Sequence, residues 1–167
     1  MASGRKFNAR HLGSTKNYQV QEQMWFEVTI EGMDEDLVFL TQSCSLPEAS
    51  NTGIEIPHGN SSAYVAGKRE YSTNQFTFLD AMVFDTEAKI KAWQNQVYND
   101  ETGDMGWVDE YKRTISVVEY SPHGDIERKW MFEGCWPETV VYGNLTGDSA
   151  GKKDVQVTIR FDTAYRE

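Results

Sequence analysis

The stretch WMFEGCWPETV, Trp130 to Val140, sets two readings of the chain against each other. Two tryptophans and a cysteine stand around a glycine, and a proline follows at once. Either Cys135 is a nucleophile in an aromatic pocket, or the segment is a strand that turns a corner. Trp130 and Phe132 alternate onto one face, as a strand requires. Gly134 permits a backbone bend. Pro137 has no N–H to donate to a ladder and is expected to end the pairing. No His or Lys adjoins Cys135 to lower its pKa, so the thiol reads as a small unreactive side chain at a strand corner.

Alternation recurs on both sides of this corner. In MWFEVTIEG, Phe26, Val28 and Ile30 share one face, and Trp25, Glu27, Thr29 and Glu31 the other. The acidic turn MDEDL then leads into LVFLTQS, which predicts a hairpin over 24–43. RTISVVEY, the turn SPHGD and IERKWMFEG predict a second hairpin. Another strand is expected through NQFTFLDAMVF, Asn74 to Phe84. The closing strand, VQVTIRFDTAY, sets Val155, Val157, Ile159 and Phe161 against Asp154, Gln156, Thr158, Arg160 and Asp162.

One helix is expected, at about 85–98: Asp85 caps it, Glu87 suits its first turn, and Ile90, Trp93 and Val97 form an apolar stripe. LPEASNTGIEIPHGNSS, rich in turn residues, predicts a long exposed loop with short extended pieces at 54–56 and 63–65. A loop of that length is usually functional or disordered. The fold class is therefore mainly β, an antiparallel sandwich or barrel-like sheet with one helix and a long extended loop. It forms a single domain over 22–167, behind an extended arm over 1–21.

A chain of 167 residues can bury about 70% of its unfolded surface. The longest apolar runs fall far short of a membrane helix, and no leader with a cleavage site is evident. Cys44 and Cys135 lack metal-site spacing and are expected to be reduced. The net charge of −10 is unevenly placed. Residues 1–21 hold Arg5, Lys6, Arg10 and Lys16 and no acid, so the arm is +4 and the rest −14. The acidic body argues against ordinary nucleic-acid binding and against anionic membranes. The arm is either a solvated tail or a segment that docks on a neighbouring copy's acidic surface.

Tests for chemistry fail one by one. His11, His58 and His123 lie in arm, loop and turn, none at ligand spacing from another. GDSAGK, Gly147 to Lys152, is one residue short of a phosphate loop and precedes a strand where a helix is required. NDETGDMGWVDE places Asp104 where a calcium loop needs glycine. Asn60 and Asn144 begin glycosylation triplets by chance. Carboxylates on strand faces would form a glycosidase pair only across a cleft that the sequence does not define. No catalytic residue, cofactor or metal is expected. A small β-sandwich hydrolase is a remote alternative.

The ordered set of motifs resembles the tail tube proteins of contractile-tailed, T4-like bacteriophages, of the myovirus type, a superfamily shared with type VI secretion tubes. WFEVTIEG and LVFLTQSCSLPEAS are similar to the family's first hairpin and its Leu-Pro exit. IEIPHGNSSAYVAGKREYSTNQFTFLDAM resembles its I-P-G, V-A-G and aromatic-strand run. EAKIKAWQNQV resembles its helix, EGCWPETV its corner, and VQVTIRFDTAY its closing strand. The match runs in order over nearly the whole chain, although no single motif is specific and the basic arm departs from the pattern.

The resemblance implies a structural virion protein whose hexameric rings stack into the inner tube of a contractile tail. That tube would be a conduit for DNA, assembled in the host cytoplasm and resident in the virion tail. A tail sheath protein would lie outside, baseplate and terminator proteins at the ends, and a tape measure protein and then DNA in the lumen, with no membrane. Under this reading Glu27, Thr29, Glu31, Asp154, Gln156, Thr158 and Asp162 are candidate lumen residues. Leu46, Pro47, Glu48, Ile54, Ile56, Pro57 and Tyr64 are candidates for an inter-ring loop. Arg5, Lys6, Arg10 and Lys16 are candidates for an inter-subunit arm. The alternative is the tube of a related injection or type VI secretion system carrying protein cargo.

Overall fold

The structure is a computed structural model and describes residues 25–33, 35–148 and 150–167. In chain order the elements are β1 (Phe26–Ile30), α1 (Asp36–Leu40), β2 (Thr41–Cys44), β3 (Ala49–His58), β4 (Ser61–Tyr71), β5 (Asn74–Leu79), α2 (Thr86–Val97), α3 (Val108–Tyr111), β6 (Arg113–Tyr120), β7 (Ile126–Val141), β8 (Asp154–Arg160) and β9 (Thr163–Arg166). Strands run β1-β6-β7-β8-β5-β2 across the main sheet, with β9 also beside β7, while β3 and β4 form a separate two-stranded sheet. Every pairing is antiparallel.

The 16-residue β7 makes the corner that the sequence marks. Its first part pairs with β6 and β9, and its last part, from Trp136, pairs with β8. Two irregularities bend it. Arg113 and Ile115 face Cys135 and Phe132, so β7 carries one residue more than β6 there, and Gly134 takes φ +69°. A glycine in the left-handed region is how a strand accommodates an extra residue. The second shift lies between Pro137 and Thr139. Pro137 therefore does not end the pairing. It stands opposite Ile159 beside a bulge, a place where a sheet tolerates proline.

Folding β7 lets the two halves of the sheet close on each other as a sandwich. Val28, Ile30, Ile115, Val117 and Phe132 meet Phe76, Phe78, Val155, Val157 and Ile159 in one core. Phe132 joins the two sides, with its ring edge-on to Phe76 (6.3 Å) and to Phe161 (5.1 Å). Ile90 and Trp93 of α2 enter the same core, so these two members of the expected stripe form a packing face, while Val97 is half-buried outside it. Val155, Val157, Ile159 and Phe161 are all buried, as the alternation predicts, but the closing strand is not continuous: β8 ends at Arg160, and Thr163–Arg166 forms β9 on the first part of β7. Asp85 caps α2 as expected, from the left-handed region (φ 46°), its carboxylate accepting the Ala88 N–H.

Three local expectations are corrected. The hairpin over 24–43 does not form: β1 pairs with β6, β2 pairs with β5, and LVFL is the helical turn α1. Leu37 and Leu40 are three residues apart and both buried, which a helical turn delivers and a strand does not. The strand begun at Asn74 ends at Leu79, because the chain turns at Ala81, whose carbonyl accepts from Phe84 and Asp85. The long exposed loop is a hairpin of β3 and β4, bulged between Asn51 and Gly53.

Candidate assembly surfaces

The β3–β4 hairpin leaves the sandwich where the Ser72 N–H donates to the Glu48 carbonyl (3.1 Å). Every residue of β3 is exposed. Register pairs set Ile54 opposite Val65 and Ile56 opposite Ala63, making one apolar face, while Tyr64 opposes Glu55 and Pro57 opposes Ser62. Gly67 is small because a side chain there would meet the Thr52 carbonyl at 2.8 Å and Ile54 at 3.1 Å. Tyr64 is 71% exposed and Ile54 52%. A two-stranded hairpin alone is marginal in water, so this one displays apolar side chains without a core of its own. Leu46 and Glu48 are exposed and Pro47 half-buried on the segment leading into it.

The sheet edges are the second surface. Among the described residues β1, β2 and β9 each have one strand neighbour, and α1 and β2 lie against β1. Such edges are templates for strand addition unless something covers them.

The candidate lumen residues fall on two separate faces. Glu27 and Thr29 lie on the outer face of the β1–β6 side, and Glu31 follows in the turn after β1. Glu27 accepts a hydrogen bond from the Tyr120 hydroxyl (2.6 Å), which raises the tyrosine's pKa. Asp154, Gln156 and Thr158 lie on the outer face of the β8–β5 side, with the core between the two rows. There, register neighbours make an uncharged field: Thr77 opposes Gln156, and Gln75 and Thr139 both oppose Thr158. Gln75 Nε2 donates to Gln156 Oε1 (3.1 Å). Charges at its margins are paired, Arg160 with Glu138 (2.9 Å) and Asp154 with Lys152 (3.8 Å). Asp162 leaves the row; it sits past the end of β8 and pairs with Lys112 (2.6 Å). The sequence singles out Gln156 and Thr158 of this field but not Gln75, Thr77 and Thr139, which come from two other strands whose pairing it does not state. Arg5, Lys6, Arg10 and Lys16 lie outside the described residues.

Among the described residues no group of three or more His, Cys, Asp or Glu is placed to hold a metal ion. Cys135 is wholly buried, and burial pushes its thiol up to about 12. Cys44 is pushed to about 11, by burial first and then by the Glu119 carboxylate. A shallow cleft between α2 and the turn after β1 is floored by Trp93 and Arg113. Arg113 has structural partners there: it donates to the Glu31 carbonyl and to Gln96 Oε1, each at 3.0 Å, and lies 5.7 Å from the Trp93 ring centroid.

No protein-family model matches the chain, and no curated protein matches it in sequence. Solved structures match its fold. A chain of the sheath–tube complex of an extracellular contractile injection system, PVC, in the extended state aligns with a TM-score of 0.69 at 13% identity, over 97% of this chain and 99% of that one. A chain of the anti-feeding prophage cap aligns with a TM-score of 0.71 at 14% identity, over 89% and 91%. Hcp1 from Flavobacterium johnsoniae aligns with a TM-score of 0.52 at 10% identity, over 85% and 94%. The chain has the β-rich fold found in chains of contractile injection assemblies and in Hcp1.

Proposed function

We propose that this protein is the structural subunit of the inner tube of a contractile injection machine, a hollow conduit and not an enzyme. The observation that carries the reading is the end-to-end fold likeness to a chain of a sheath–tube complex. The edge strands and the coreless hairpin support it, because both need partners. Head-to-tail pairing of edge strands closes a ring and removes the edges, and six copies per ring is the number we propose. Leu46, Pro47, Glu48, Ile54, Ile56, Pro57 and Tyr64 then form the contact between rings. A sheath protein surrounds the tube, with baseplate and terminator proteins at its ends.

The channel is lined by the β8 face, with Gln156 and Thr158 at its centre. Short uncharged side chains flanked by paired charges hold no strong site for a passing polyanion. In a phage tail the tube holds a tape measure protein and then DNA, and the particle resides in the virion tail after assembly in the host cytoplasm. The likeness to extracellular injection systems favours a second reading equally, a tube that carries protein cargo. Electron microscopy of the purified protein, alone and with its sheath, tests the class: stacked rings around a pore are expected, and a monomer under all tube-forming conditions would refute it. Neighbouring capsid genes or secretion genes separate the two cargos.

A further inference from the structure

Tyr98, Met105, Trp107 and Val108 are 48, 76, 78 and 50% exposed on the segment that joins α2 to α3. The segment is firmly held. Tyr98 and Met105 form an antiparallel bridge, Gly103 N–H donates to the Asn99 carbonyl (2.8 Å), and Asn99 N–H to the Asp104 carbonyl (3.0 Å). Gly106 runs so close to the helix end that a side-chain carbon would lie 1.9 Å from the Gln96 carbonyl oxygen. From beneath, Trp93 Nε1 donates to the Tyr111 carbonyl at the end of α3 (2.8 Å). A well-braced backbone therefore holds four apolar side chains out into water, which marks a contact surface.

Charge selects the occupant. Asp100, Glu101, Asp104, Asp109 and Glu110 lie in the same segment, and no Lys or Arg falls between Tyr98 and Tyr111. Asp100 pairs with Lys91 (2.5 Å), while Glu110 turns back to the Trp107 N–H. Glu101, Asp104 and Asp109 remain exposed around the apolar group. A segment that fits must be cationic and must carry apolar side chains between its charges. Residues 1–21 meet both conditions, with Arg5, Lys6, Arg10 and Lys16, no acid, and Phe7, Leu12 and Tyr18 among them.

We propose that this arm docks on the Tyr98–Tyr111 platform of a neighbouring copy, with a base stacked on the Trp107 indole and others beside Asp104 and Asp109. Reach admits the arm's own platform as well as a neighbour's, and the side-by-side subunits of the tube reading assign it to the neighbour. The arm joins the body at Trp25, whose carbonyl accepts from Tyr120 at one end of β6, whereas the platform runs into Arg113 at the other end. These points are separated by about 23 Å along the strand. Twenty-four residues reach at most about 80 Å, enough to cross to an adjacent subunit.

The inference rests on the tube reading, and one experiment separates the two. A photo-crosslinking residue replaces Phe7 in the full chain, isotope-labelled and unlabelled chains are co-assembled, and crosslinks are mapped by mass spectrometry. Crosslinks to residues 98–111 joining chains of different label are expected. Reversing Asp104 and Asp109 to Lys should reduce their yield about tenfold, and adding Arg5→Glu and Lys6→Glu should restore it. Rings whose arms crosslink elsewhere, or only within their own chain, overturn the docking and leave the tube standing. Failure to form rings by microscopy overturns the tube reading and the docking with it.

Discussion

A side-chain carbon on Gly134 would lie 2.2 Å from Oδ2 of Asp162. The two residues lock the corner of β7 to the break between β8 and β9. Asp162 N–H donates to the Glu133 carbonyl (3.0 Å), and its carboxylate takes Lys112 Nζ. Gly134→Ala therefore meets two obstacles, the clash and the left-handed φ. It should lower stability by about 2–3 kcal/mol, read as a shift in urea midpoint. Adding Asp162→Gly should recover the steric part alone, since the exposed Lys112–Asp162 pair contributes little. A Gly134→Ala variant within about 0.5 kcal/mol of wild type would show that the corner relaxes freely.

The hairpin should be separable from the fold. None of residues 50–70 belongs to the core, whereas Tyr71 packs its ring 5.4 Å from Phe161 and must stay. Ala49 and Tyr71 are register partners, so an Asn-Gly turn can join them. Replacing 50–70 in this way should leave a cooperatively folded subunit that no longer stacks. Tubes of normal length from the shortened chain would remove the hairpin from the inter-ring contact.

The buried thiols fix a pH dependence. Cys44 and Cys135 stay protonated in the fold to about 11 and about 12, while unfolded thiols ionise near pH 9. Above pH 9 the unfolded state binds fewer protons and is favoured, so the thiols' contribution to stability is flat below that point and falls between pH 9 and 12. Lys153 acts in the same direction. Its ion pairs with Glu87 and Asp80 raise its pKa, and their contribution is lost as pH rises through that raised value. Cys44→Ala/Cys135→Ala should flatten the decline in urea midpoint between pH 9 and 10.5. In the native protein at pH 8 a thiol reagent should find about a thousandth of Cys44 as thiolate. Full labelling within minutes, with circular dichroism unchanged, would contradict this placement.

How much of this was legible follows from which signals are local. Val155 to Phe161 alternate over a long run, and Asp85 with Ile90 and Trp93 carries both a cap and a helical stripe; the helix forms as the sequence predicts, and so does the alternation, although the strand breaks after Arg160. Leu37 to Leu40 is a short apolar run, and periodicity cannot separate a buried strand from a helical turn over four residues. The β3 strand was hidden by its Asn, Gly and Pro content, because its order comes from cross-strand bonds to β4. Pro137 misled because a sheet tolerates proline beside a bulge, and the bulge is not visible in the sequence. The two polar rows were each readable along one strand. Their assignment to opposite halves of the main sheet depends on β7 changing partners, a long-range relation that no local pattern encodes.

The channel face can be decided by charge. Gln156 and Thr158 stand in the uncharged field on β8, Glu27 and Glu31 on the opposite side of the core. In assembled tubes Gln156→Lys/Thr158→Lys would introduce twelve cations per six-copy ring. A passing polyanion would be held by them, and the effect would weaken with salt, since fields at a wet surface are screened within about 8 Å at physiological ionic strength. DNA passage should slow severalfold at low salt and recover at high salt, with tube morphology unchanged. Glu27→Lys/Glu31→Lys should leave passage at the wild-type rate and instead weaken contacts on the outer side, read as loss of sheath binding. Glu27→Lys also removes the acceptor of the Tyr120 hydroxyl, so Glu27→Gln, which keeps an acceptor, separates charge from packing. Slowed, salt-sensitive passage in the Glu27/Glu31 variant with normal passage in the Gln156/Thr158 variant would transfer the lumen to β1.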